Sequence, residues 1–144
     1  LLIVGEGEER EKLEELVKVL SAESYIQLVG ETKNPYAYMS KCALFLMPSR
    51  YEGLGNVLIE AVACGAKCIA YDCPVGPSET LGAGKFGRLV KVNDLAELTQ
   101  AISDELDRDY DRAAVISHGQ TYTSENGFSK YEAVFEKLCA ERVK

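Results

Sequence analysis

Short apolar runs alternate with helical stripes along this chain, and that alternation leaves few folds open. Leu1-Leu-Ile-Val4 and Ala43 to Met47 have the length and continuous apolar character of a parallel strand buried on both faces, and Tyr25 to Val29, Cys68 to Tyr71 and Phe86 to Val92 read as three further strands. Between them lie helical segments. Glu8 to Ala22 carries Leu13, Leu16, Val17 and Leu20 on one stripe, with charge elsewhere. Asn34-Pro35 reads as an N-cap followed by proline at the first helical position, opening a short helix to about Lys41. Asn56 to Cys64 is a third helix, closed by Gly65. Ser78 to Leu81 forms a short one. Asp94-Leu-Ala-Glu97 has capping-box spacing before Leu95, Leu98, Ile102 and Leu106. Tyr110 to Tyr122 and Ser129 to Arg142 are expected to be helices as well. Strands joined through helices at this spacing imply βαβ units, and so an α/β fold: a Rossmann-like, doubly wound parallel sheet with helices on both faces and helices at the C-terminal end.

Composition removes several functions. The chain has 144 residues, 47% of them apolar, and a formal charge of −7. One domain of that size has ample core. An acidic surface cannot neutralise a phosphate backbone, so nucleic acid is not an expected partner; direct contact with an anionic membrane is disfavoured for the same reason. No apolar run approaches the ~20 residues of a membrane span. Cys42, Cys64, Cys68, Cys73 and Cys139 are odd in number and form no CxxC pair, and His118 is the only histidine. Free buried thiols in a reducing cytoplasm are expected, and no metal site. The chain starts inside a strand without Met, and the expectation is an internal piece of a longer protein.

The chemistry concentrates in Glu52-Gly-Leu-Gly-Asn-Val-Leu-Ile-Glu60. Following Ala43-Leu-Phe-Leu-Met-Pro48, it reads as strand, tight loop and helix, the place where open α/β sheets bind ligands. Gly53 and Gly55 let the backbone approach a ligand closely. The N–H groups of Leu54, Gly55, Asn56 and Val57 belong to a helix start, where four donors lack helical partners and attract anions. Glu60 lies in a helix that is otherwise apolar except for Asn56, so it is expected to be buried. It shares a face with Asn56, and its carboxylate would lean back toward the loop. There it could accept hydrogen bonds from a diol such as ribose, or it could pair with Lys41 or Lys67. Glu52 beside the loop repels phosphate but suits sugar hydroxyls or a developing positive charge. On base rates alone it is a surface acid.

Other motifs carry less. Gly5-Glu-Gly7 lies between a strand and a helix but has Arg10 where GxGxxG needs glycine, and Glu6, Glu8 and Glu9 crowd the phosphate position, so dinucleotide binding there is not expected. Gly76-Pro-Ser-Glu79 is a candidate pocket wall. His118 lies in a helical stretch with no nucleophile placed beside it, either packed or facing solvent. Tyr51 and Tyr71 are expected to pack.

The pattern resembles the retaining GT-B glycosyltransferases of the family 4 type. The resemblance runs through Leu1-Leu-Ile-Val-Gly-Glu-Gly-Glu-Glu-Arg-Glu-Lys-Leu13, Val29-Gly30, Pro48-Ser-Arg-Tyr-Glu-Gly-Leu-Gly55, Glu60-Ala-Val-Ala-Cys-Gly65, Gly76-Pro-Ser-Glu79 and Gly87-Arg-Leu-Val90, and covers about Leu1 to Ile102. It implies that residues 1–144 are a nucleotide-sugar-binding domain from the C-terminal half of such an enzyme. Glu60 would hold the ribose, Gly53 to Val57 the diphosphate and sugar, and Val29 and Gly30 would frame the base. Glu52 would lie against the donor sugar as the catalytic, positioning acid. The donor would be a nucleotide-sugar, UDP-linked by default, with no metal and no further cofactor. Gly76-Pro-Ser-Glu79 hints at a hexosamine-type donor. The acceptor, a glycan or lipid-linked glycan, would bind a missing N-terminal domain. The setting would be cytoplasmic, membrane-peripheral at most in the full-length protein.

Two departures matter. Lys67 replaces a common proline before the fourth strand, and the family's basic residues for the diphosphate would lie upstream of Leu1. The isolated chain is therefore expected to be inactive and to bind nucleotide weakly. Two other readings stand beside this one: a sugar-nucleotide epimerase of GT-B architecture, and a Rossmann-like interaction or regulatory module without chemistry.

Overall fold

The structure, a computed structural model, describes residues 1–142. The chain forms two compact units, Leu1–Tyr38 and a second starting at Met39. In the first unit, β1 (Leu2–Val4) and β2 (Gln27–Gly30) pair in parallel around helix α1 (Arg10–Val19). The register slips between Ile3 and Val4, and Gly5 N–H donates to Gly30 O at 2.8 Å. Of the apolar stripe on α1, only Val17 is buried, while Leu16 and Leu20 stay exposed. Two strands are too narrow a floor to cover a stripe of that width. Helix α2 (Tyr36–Met39) is a single turn, with Ala37 N–H donating to Asn34 Oδ1 at 3.3 Å.

The second unit holds β3 (Phe45–Met47), α3 (Asn56–Ala63), β4 (Cys68–Tyr71), α4 (Pro77–Thr80), β5 (Arg88–Val90), α5 (Leu95–Asp107), α6 (Arg112–Gly119), a 3-10 turn (Gln120–Tyr122) and α7 (Ser124–Arg142). Its strands run in parallel in the order β3-β4-β5. Central β4 is buried at every position, and its period of two splits the core. Cys68 and Ala70 join Leu58, Ala61, Val62, Leu81 and Val115 on one face. Ile69 and Tyr71 join Val90 and Ala101 on the other, beneath Leu98 and Ile102 of α5. Helices α3, α4 and α6 therefore cover one face and α5 the opposite one, which is the expected α/β layering.

Two helix starts close on acids. Asp94 Oδ1 accepts from Glu97 N–H at 2.9 Å and Asp111 Oδ1 from Ala114 N–H at 3.0 Å. The expected box at α5 is half realised, because Glu97 Oε2 reaches Lys91 N–H instead of Asp94. Strands are shorter than the apolar runs, because pairing ends where the parallel neighbour does. Helix α7 begins at Ser124, ahead of the expected Ser129, running through Asn126 and Gly127.

Helix α3 and helix α6 touch backbone to backbone. A Cβ on Gly119 would fall 2.5 Å from Ala63 Cα, so glycine is obligatory there. Beyond this contact, Arg112 Nη2 donates to Cys64 O and Ser40 O, both at 3.0 Å, and Tyr110 OH donates to Gly65 O at 2.8 Å. These donors satisfy carbonyls that the end of α3 leaves open.

All five cysteines are free, but they are not uniformly buried: Cys68 and Cys73 are, Cys42 and Cys64 are half-buried, and Cys139 is exposed on α7. The expectation of buried thiols is corrected for Cys139, because nothing among the described residues packs over that face of α7. Burial pushes the Cys68 thiol up to about 12. Its thiolate is scarce at neutral pH. A short iodoacetamide pulse at pH 8, read by mass spectrometry, should label Cys139 and leave Cys68 unlabelled until denaturant is added. Gly119→Ala should cost about 2 kcal/mol in urea unfolding, the scale of an overpacked interior, while Gly127→Ala, with nothing within 4 Å of the added methyl, should cost nothing.

Candidate functional site

The loop after β3 turns into α3 through Gly55, whose φ of 77° and ψ of 47° lie in the left-handed region. A side chain there would be strained by that angle alone, since the space beside it is ordinary. An added methyl would lie 3.8 Å from Met47 Cε and 3.9 Å from Glu52 Cγ. Glu52 thus packs over the helix start, beside the end of β3. Leu58 and Ile59 N–H return to Gly55 O at 2.9 and 3.3 Å. No side chain caps the helix, so the N–H groups of Asn56 and Val57 face whatever occupies the loop without a side-chain acceptor.

Glu60 lies one turn further along α3. It is half-buried rather than enclosed, because α3 is not covered all round: Leu58, Ala61 and Val62 face the core, while Asn56, Val57 and Ala63 are exposed. The apolar composition of α3 overstated its burial, since several of its apolar residues sit on the open face. No ion pair forms at Glu60 among the described residues. Lys67, a candidate partner, is buried and turned elsewhere. Its Nζ donates to Glu105 O and Arg108 O at the end of α5 and sits 5.1 Å from the Tyr110 ring centroid. Glu105, buried beside it, pairs with Arg108 at 2.9 Å. Lys41 is exposed and forms no ion pair among the described residues either.

A contact that the sequence did not disclose closes one side of the loop. A Cβ on Gly76 would fall 2.5 Å from Leu54 O, and Gly76 itself has φ of 98°. The backbone ahead of α4 therefore lies directly on Leu54-Gly55, with Gly53 left open. The wall role expected of Gly76-Pro-Ser-Glu79 rests on this contact. A glycine before proline was the available signal, but it could not say which backbone it would meet.

The rim is apolar and open. Leu54, Val57 and Val75 are exposed, and Tyr51 is 86% exposed. The expectation that Tyr51 packs is corrected, since it stands on the loop outside the sheet; Tyr71 does pack, beside Ile69 and Val90. Two hollows lie elsewhere: about 440 Å³ lined by Asp72, Leu89, Val90, Lys91, Val92 and Glu97, and about 180 Å³ beside α1.

Val29 and Gly30 belong to the first unit. There Gly30 has φ of 83° and is buried, and the Glu6 carboxylate lies over it, 2.7 Å from where a Cβ would be. Glu6 pairs with Arg10, which also binds Glu14 at 2.8 Å. The acids of the Gly5-Glu-Gly7 loop are thus engaged with the start of α1. Among the described residues no group of His, Cys, Asp and Glu is placed to hold a metal ion, and no helix is long and apolar enough to cross a membrane.

Comparison with known proteins bears on this arrangement. Residues 1–108 match the family described as glycosyl transferases group 1. The chain is 37% identical over 121 residues to the N-acetylgalactosamine-N,N'-diacetylbacillosaminyl-diphospho-undecaprenol 4-alpha-N-acetylgalactosaminyltransferase of Campylobacter jejuni, covering 84% of this chain and 33% of that protein. Among solved structures, the lipopolysaccharide outer core galactosyltransferase WaaB in its apo form superposes with a TM-score of 0.78 at 25% identity, over 95% of this chain and 40% of that one. A mutant of TarM from S. aureus, solved with fondaparinux, alpha-GlcNAc-glycerol and UDP, superposes with a TM-score of 0.72 at 26% identity, over 96% of this chain and 28% of that one. The chain spans only about a third of the length of such relatives. The family match covers the strand–loop–helix segment from Glu52 to Glu60, and on that basis this chain belongs to the group 1 glycosyl transferases.

Proposed function

We propose that this chain is the donor-binding part of a retaining glycosyltransferase that moves a sugar from a nucleotide-sugar to a glycan or lipid-linked acceptor. One observation carries the reading: two half-buried acids, Glu52 and Glu60, flank a left-handed glycine helix start that no side chain caps, and neither is in an ion pair among the described residues. A phosphate answers the uncapped N–H groups. A ribose diol answers Glu60, because an anionic acceptor holds two hydroxyls better than a neutral one. Glu52, packed against Gly55, faces the sugar and stabilises positive charge as the bond to phosphate stretches.

In this reading the anomeric carbon loses its bond to the diphosphate while the acceptor hydroxyl bonds on the same face. The departing phosphate oxygen takes the hydroxyl proton, so the residues of this chain shuttle no proton. UDP is the proposed nucleotide, consistent with the UDP held by the TarM structure. A lipid-linked acceptor is consistent with the diphospho-undecaprenol in the name of the Campylobacter jejuni relative. No metal or cofactor is needed in the proposed step, and a cytoplasmic setting suits a soluble nucleotide-sugar. The open, apolar rim makes this half a site: residues 1–144 alone would bind donor weakly and transfer nothing.

Calorimetric titration with UDP, GDP and NAD tests the reading. UDP should bind, NAD should not, and Glu60→Gln should weaken UDP by about tenfold or more, the loss of a charge-assisted hydrogen bond. Silence toward every nucleotide in the enzyme that carries this chain would overturn it. In that enzyme, Gly76→Ala should abolish donor binding while leaving the circular dichroism spectrum unchanged, because its methyl would push Leu54 O off the phosphate loop.

A further inference from the structure

The wall formed by Gly76 to Glu79 is a single turn, closed by Thr80 N–H on Gly76 O at 2.8 Å and Leu81 N–H on Pro77 O at 2.9 Å. It is also held from outside. His118 Nε2 lies 2.9 Å from Thr80 O, and Tyr122 OH donates to Glu79 O at 3.2 Å. A carbonyl oxygen only accepts, so the first contact requires an Nε2–H, which the imidazole carries in one neutral tautomer and when charged. The ring is set for that bond. It stacks on Phe86 with centroids 3.9 Å apart at 11°, and meets the edge of Tyr122 at 5.7 Å and 89°. Phe86 is itself returned beneath α4 by the turn Gly82, Ala83, Gly84, all with positive φ, and its N–H donates to Leu81 O at 3.0 Å.

The same helix end that carries His118 also fixes the C-terminal end of α3, the helix whose start forms the notch. Gly119, the next residue, lies backbone to backbone on Ala63 of α3. Helix α6 and its 3-10 extension thus grip α3 through Gly119 and α4 through His118 and Tyr122. The two gripped elements meet at Leu54-Gly55 and Gly76. The geometry points to His118 and Tyr122 as positioning residues of the donor site: they set the height of the Gly76–Glu79 wall above the glycine loop, and with it the fit of the donor. This rests on the donor-site reading above. Each is placed to act through a backbone carbonyl at the C-terminal end of α4.

The test is donor kinetics of the enzyme that carries this chain, with thermal melting alongside. His118→Phe keeps the stack on Phe86 and removes the donor; it should raise KM for the nucleotide-sugar about fivefold with kcat within about twofold, the scale of one neutral hydrogen bond. His118→Gln keeps an amide N–H near the same reach and should return KM to within about twofold of the parent. Tyr122→Phe, which loses only a hydroxyl, should raise KM about threefold. If His118→Phe fails to fold, Tyr122→Phe alone decides. Parental KM in the Phe variants, an equal rise in His118→Phe and His118→Gln, or a fall confined to melting temperature and kcat would each overturn the inference. A parent enzyme that binds no nucleotide-sugar would instead overturn the donor-site reading itself.

Discussion

The backbone contact of Gly119 with Ala63 decides where α3 lies, and α3 decides what the loop before it can hold. Two helices approach this closely only where the contact residues are small and at least one has no side chain, and Ala63 with Gly119 supplies that. Arg112 and Tyr110 then take the carbonyls at the far end of α3, so its C-terminal end is tied down while its N-terminal end stays uncapped. The two ends differ accordingly: carbonyl acceptors at the tied end are taken up by neighbouring side chains, and N–H donors at the other end have no side-chain acceptor.

Charge is divided in the same way. The buried cation Lys67 is consumed by the carbonyls that end α5, and Arg10 by Glu6 and Glu14. Glu52 and Glu60 are left without ion pairs among the described residues. A half-buried carboxylate keeps part of its hydration and so tolerates this state, whereas a fully enclosed one would be expensive. That intermediate burial leaves both carboxylates able to exchange water for the hydroxyls of a ligand.

Backbone conformation contributes the third element. Gly55 and Gly76 both adopt positive φ, yet for different reasons. At Gly55 there is room for a side chain but the angle forbids it. At Gly76 the angle and the space both forbid it, because Leu54 O lies only 2.5 Å from where a methyl would stand. One glycine makes the turn; the other permits two loops to touch. Only the first kind of role can be argued from neighbours in sequence.

How much was legible follows from range. The alternation of apolar runs gave away the parallel α/β layering, since period and run length are local consequences of which faces are covered. The segment Glu52 to Glu60 was legible as strand, loop and helix for the same reason. Burial along α3 was misjudged, because composition counts apolar residues but cannot say which of them faces the sheet; Tyr51 was misplaced likewise. The meeting of Gly76 with Leu54, the grip of His118 on Thr80, and the capture of Lys67 by the Arg108 carbonyl join residues 22 to 41 positions apart. The sequence by itself determined the elements and the chemical kinds of side chain at the loop. Only tertiary packing decided which of those groups were used up by neighbours and which were left open, because that depends on the distance between elements and not on the order of residues within them.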